Sequence, residues 1–108
     1  MDKSEIEKLN QQAVILKSII SNFNFAKYDF KNGKNQKVRT EGYRRMQNEM
    51  DLAKDLVTQN KIAYKIASGG EREETFYRKE YLADSFKESF FARDMQIVIK
   101  QIENLINS

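Results

Sequence analysis

The chain contains no proline, and its four glycines fall at only three places, Gly33, Gly42 and the pair Gly69-Gly70. Proline and glycine interrupt regular backbone most strongly, so long stretches of this chain hold nothing that would stop a helix. In those stretches apolar residues recur every three or four positions, the spacing that gathers them on one side of a helix. The sequence therefore predicts an all-α domain, a three-helix antiparallel bundle with coiled-coil-like heptad seams, over the whole 108 residues. The expected helices are 4–23, 40–68 and 72–106, divided at the glycines.

The first expected helix opens at Ser4, which with Glu7 has the form of a capping box. Ile6, Leu9, Ala13, Leu16, Ile20 and Phe23 follow as a heptad seam, widened by Val14, Ile15 and Ile19, and the helix is expected to end near Asn22 or Asn24. The second carries a seam of Tyr43, Met46, Met50, Ala53, Val57, Asn60, Tyr64 and Ala67, an adjoining row of Leu52, Leu56, Ala63 and Ile66, and Gly69 as a left-handed cap. Asn60 either fixes register as a buried polar residue or sits wet at the edge of the stripe. The third helix has no breaker after Glu71 and would be about 50 Å long if it ran unbroken to Ile106. It is expected to bend, to break near Ser85 or Asp94, or to extend into an oligomer. Residues 24–39 are expected to form a basic loop, with Asn32-Gly33 permitting a small β-hairpin.

Composition narrows the function. The absence of histidine and cysteine removes the usual general base, thiol nucleophile and zinc ligands. A domain of this size also has little interior in which to perturb the carboxylates, lysines and tyrosines that remain. The expectation is a protein that is not an enzyme, with no cofactor, no metal and no small-molecule substrate. No apolar run approaches the roughly 18 residues of a membrane span, and a chain without disulfides reads as cytoplasmic. Without tryptophan the chain also lacks the Trp-x-Gly turn of small helical secretion substrates, and it has no aromatic box of the RNA-recognition type.

Two features remain to carry function. Residues 24–45 hold seven basic groups against two acidic ones, although the whole chain is only +3. Their cations interleave with Phe23, Phe25, Phe30 and Tyr43, and single-stranded nucleic acid needs both parts of that pattern, cations for phosphate and rings on which bases stack. Lys27, Tyr28, Lys31, Lys34, Lys37, Arg39, Arg44 and Arg45 are thus the candidate anion or nucleic-acid residues. On the plainer reading the rings anchor the segment and the lysines are simply solvated.

The third helix is apolar on two sides. Leu82, Ala83, Phe86, Phe90 and Ile97 form one arc, read as the core face. Phe76, Tyr77, Tyr81, Phe91, Met95, Val98, Ile99, Ile102, Leu105 and Ile106 form the other. A helix apolar on two sides sits centrally or offers one side to another chain. Glu80, Asp84 and Glu88 step along the second arc at four-residue intervals, as solvated acids, as receivers of a cation or, least suited without histidine, as metal ligands. Phe76, Tyr77, Glu80, Tyr81, Asp84, Glu88, Phe91, Met95, Val98 and Ile102 are the candidate partner-binding residues. The function expected is a non-catalytic helical interaction module that binds another macromolecule, foremost a protein, through the exposed apolar and aromatic face of the third helix and the basic loop, and that self-associates as a dimer. It would be an inhibitor, adaptor or assembly factor of the compact kind that phages and mobile elements carry. The alternative is a nucleic-acid-binding protein using residues 24–45.

Overall fold

A computed structural model describes residues 2–59 and 88–107, and the described residues are helical apart from a short turn and the chain ends. Three helices are described: α1 (Lys3–Asn32), α2 (Gln36–Gln59) and α3 (Glu88–Ile106). Expected features at Asn60, Gly69 and 60–87 generally lie outside the described residues.

α1 starts earlier than the Ser4 box suggests. Asp2 is the N-cap, in extended conformation, and its carboxylate accepts from the Glu5 backbone N–H at 2.8 Å. An anionic cap satisfies an otherwise orphaned donor and opposes the positive end of the helix dipole. The helix also runs nine residues past Phe23, through Asn24 to Asn32. Asparagine is only a mild helix breaker, and the buried row continues through Ala26 to the partly buried Phe30, so packing outweighs propensity. The expected basic loop and hairpin are therefore replaced by two helix ends and a three-residue turn, Gly33 to Asn35, and no strand occurs among the described residues.

That turn is tightly determined. The Gly33 N–H donates to Asp29 O at 2.8 Å, and the Asn35 side-chain oxygen accepts from the Val38 N–H at 2.9 Å, making Asn35 the cap of α2. The Arg39 guanidinium donates to Gly33 O at 2.9 Å. A Cβ at Gly33 would stand 2.5 Å from Asp29 O, so only glycine allows this approach. Gly42, expected as a breaker, lies inside α2, where an added Cβ would meet the Phe30 nitrogen at 2.5 Å and Ala26 O at 2.7 Å. It is a packing glycine: α2 lies directly on the backbone of α1.

α1 packs against both other helices. Along α2, Phe30 meets Tyr43 with ring centroids 5.3 Å apart, Asp29 pairs with Arg45, and Asn22 bonds to Glu49, so the contacts descend α1 as they climb α2. Along α3, Phe23 meets Phe91 at 4.6 Å and Lys17 pairs with Glu103 at 3.0 Å, again in opposite senses. The core holds Leu9, Ala13, Leu16, Ile19, Ile20, Phe23 and Ala26 from α1, Met46, Met50 and Ala53 from α2 and Phe91, Met95, Val98, Ile99 and Ile102 from α3, while Ile6 is only partly buried. Each large side chain fully buried there contributes about 1.5–3 kcal/mol relative to exposure.

On all three helices some described residues depart from the expected faces, while Leu82, Ala83, Phe86 and Phe90 lie outside the described side chains. On α3, the arc of Phe91, Met95, Val98 and Ile102 is the core face and not a surplus one, while Ile97 of the opposite arc is exposed. On α1, Ile19 is buried as expected, but Val14 and Ile15 are not part of the core. Leu52 on α2 is likewise exposed, whereas Leu56 packs against the core. α3 passes through Asp94 without a break.

Candidate interaction surface

α1 carries a second row of residues at heptad spacing. Val14, Ser18, Ser21, Phe25 and Tyr28 follow one another at intervals of 4,3,4,3, as do the buried Leu9, Ala13, Leu16, Ile20 and Phe23. At about 100° per residue the five fall within roughly 80° of arc, on the side of the helix turned away from the buried row. All five are exposed, with Val14, Phe25 and Tyr28 at 65%, 70% and 66%. Exposed apolar residues scattered singly mean little, but here three share one row, Phe25 and Tyr28 adjacent and Val14 about 16 Å away across Ser18 and Ser21.

The row is shaped as well as apolar. Among the described residues, Ser21, Asn24, Phe25 and Tyr28 line an open hollow, and Asn10, Gln11, Val14 and Ile15 line a second. The first four stand at i, i+3, i+4 and i+7, the arrangement that on a helix forms a hole for a side chain of a facing helix.

The candidate anion residues gather around the turn between α1 and α2, and two of them, Arg39 and Arg45, tie it together. Arg39 bonds Gly33 O and Gln36, Arg45 pairs with Asp29 across the two helices, and Arg44 pairs with Glu41 at 3.1 Å. Lys27 is partly buried and Lys31 is exposed on the last turns of α1, while Lys34 and Lys37 project from the turn and the first turn of α2. Tyr28 is exposed beside them. Arg39 and Arg45 are thus internal ties, while Lys31, Lys34, Lys37 and Arg44 are exposed at this end.

The candidate partner-binding residues divide. Phe76, Tyr77, Glu80, Tyr81 and Asp84 lie outside the described residues, and Glu88 opens α3. Phe91, Met95, Val98 and Ile102 are buried in the core and form no exposed face. What the sequence reading misses is Val14 and Phe25 as one surface. Ending α1 at Asn24 separates them, whereas continuing it to Gly33, the first true breaker, sets Val14, Phe25 and Tyr28 on one line.

Two carboxylates are perturbed. Burial pushes Glu49 up from the ordinary carboxylate range, against a stabilising bond from the Asn22 side chain. Burial also pushes Asp94 up, opposed by the Arg93 guanidinium 3.5 Å away. The two stand on different helices, α2 and α3. Among the described residues no three carboxylates cluster as metal ligands would, and no helix is long and apolar enough to cross a membrane. The chain matches no protein-family model, no curated protein and no solved structure.

Proposed function

We propose that this chain is a non-catalytic helical interaction module: an antiparallel bundle with heptad seams that docks another protein on the outward face of α1, beside its basic hairpin end. The observation that carries the reading is the row of Val14, Phe25 and Tyr28, each about two-thirds exposed at seam spacing. A stripe of that kind is what helix-in-groove and coiled-coil recognition use. The opposed contact order of α1 with α2 and with α3 supports the antiparallel arrangement.

A second reading, single-stranded nucleic acid, is favoured by Tyr28, an exposed ring among Lys31, Lys34 and Lys37. It suits the hairpin end but leaves Val14 and Ile15 without a role, since nucleic acid gains little from aliphatic side chains. A photoreactive benzoyl-phenylalanine at position 25, activated in cells, separates the two. A discrete protein adduct resistant to nuclease is expected. A nuclease-sensitive adduct would move the assignment to nucleic acid, and no adduct from positions 14, 25 and 28 would remove the docking face.

A further inference from the structure

We infer that the occupant of the outward α1 face is a second copy of this chain, with the two α1 helices antiparallel about a two-fold axis between Ser18 and Ser21. The inference rests on the reading of that face as a protein-docking surface and names its partner. The row extended to both ends is Glu7, Gln11, Val14, Ser18, Ser21, Phe25, Tyr28 and Asn32, every one of them exposed, and its spacing of 4,3,4,3,4,3,4 reads the same in either direction. Reversing a second copy about its midpoint sets position 7 opposite 32, 11 opposite 28, 14 opposite 25 and 18 opposite 21.

Size and charge make this pairing complementary. The larger ring stands opposite a smaller side chain in each outer layer, Phe25 against Val14 and Tyr28 against Gln11. At the axis Ser18 faces Ser21, two small residues that let the helices approach and whose hydroxyls can bond each other. The hole between Ser21, Asn24, Phe25 and Tyr28 is centred opposite Val14 of the second copy, and the hollow at Gln11 and Val14 lies opposite its two rings. The parallel alternative stacks Phe25 on Phe25, Tyr28 on Tyr28 and one basic hairpin end on the other, each end drawn from the segment with seven basic and two acidic groups. The antiparallel arrangement parts those ends by the length of the seam, about 38 Å for 25 residues, and sets against each the start of α1, where Glu5 and Glu7 balance Lys3 and Lys8.

Sedimentation equilibrium up to about 1 mM protein is expected to give twice the 12.7 kDa chain mass. Val14→Asp with Phe25→Asp is expected to return the single-chain mass while the far-UV circular dichroism is unchanged, both side chains being exposed. Ser18→Glu with Ser21→Glu, which sets like charges face to face at the axis, is expected to weaken the dimer. Ser18→Glu with Ser21→Arg sets opposite charges face to face only when the helices run antiparallel, and is expected to dimerise more tightly than the double glutamate. Because the chain has no cysteine, orientation is also read with Glu7→Cys and Asn32→Cys chains, which on mixing and oxidation are expected to yield the 7–32 disulfide. A wild type of single-chain mass throughout, a dimer untouched by the aspartates, or a predominance of 7–7 and 32–32 disulfides would overturn the inference. A single-chain wild type that still gives an adduct to a different protein at position 25 would remove the second copy and leave the interaction module standing.

Discussion

Val14 on α1 and Val98 on α3 belong to rows of the same heptad spacing, yet one is 65% exposed and the other fully buried. The difference lies in their neighbours and not in their own helices. Val98 stands with Phe91, Met95 and Ile102 against α1, whose seam supplies Leu16, Ile20 and Phe23 to the same core. Val14 stands on the side of α1 that neither α2 nor α3 reaches. A helical wheel counts the apolar faces of a helix, but the packing of the other elements decides which of them is covered.

The sharpest way to break this comparison is the same substitution at both valines. Val98→Asp places an unpaired carboxylate in the core and is expected to cost about 3–5 kcal/mol, enough to unfold much of the population of a marginally stable domain. Val14→Asp is expected to change stability by no more than about 0.5 kcal/mol. Urea denaturation of the two variants, followed by circular dichroism at a concentration where the chain is a single copy, gives both numbers. Similar costs at the two sites would erase the distinction between the faces.

Gly42→Ala tests the hairpin beneath the outward face. The added methyl would press on the Phe30 nitrogen and Ala26 carbonyl, backbone atoms that cannot rotate away, and is expected to cost about 1–3 kcal/mol despite alanine's better helix propensity. A stabilised variant would mean that α2 does not lie on the α1 backbone.

These two sites also show how far the sequence can be read. The seam from Leu9 to Phe23 and the spacing from Phe91 to Ile102 are legible, because burial follows periodicity once a helix exists. Gly42 is not, since a glycine that lets two helices touch and one that ends a helix are the same letter, and only the partner's backbone tells them apart. The segment after Phe23 reads as a loop only on the strength of Asn22 and Asn24, mild breakers that packing overrides. The cap at Asn35 and the ties from Arg39 and Arg45 depend on a turn whose geometry no local pattern displays. The basic segment is legible as charge but not as structure: Arg39 bonds the turn and Arg45 pairs across the two helices, which a count of charges does not show.

Asp94 sharpens the comparison at a smaller scale, as a polar residue on the covered face. Its folded pKa is raised by burial, so the folded state favours the neutral acid. The stability from that proton is present below the unfolded pKa, near 3.8, and is lost as pH rises through the folded value. Asp94→Asn is therefore expected to stabilise the domain at neutral pH and to flatten that decline in a series of thermal melts. Glu49, raised for the same reason, contributes in the same direction and remains in the variant. An Asp94→Asn chain less stable than wild type at neutral pH would contradict burial as the dominant influence. The smallest effect is expected from Lys17→Ala, which removes the half-exposed pair with Glu103 and is worth about 0–1 kcal/mol in a double-mutant cycle with Glu103→Ala.

The central claim, that the outward row of α1 carrying Val14, Phe25 and Tyr28 is left open by α2 and α3 and is covered by another chain, is tested most directly by a Phe25→Trp variant, whose indole is unique in a chain without tryptophan. The account predicts red-shifted emission and ready quenching by acrylamide in dilute protein. On addition of excess wild-type chain, the emission should move to the blue and the quenching should fall. Protection of that indole at every dilution would place the face inside the fold, and ready quenching at every concentration of added chain would leave it without the second copy.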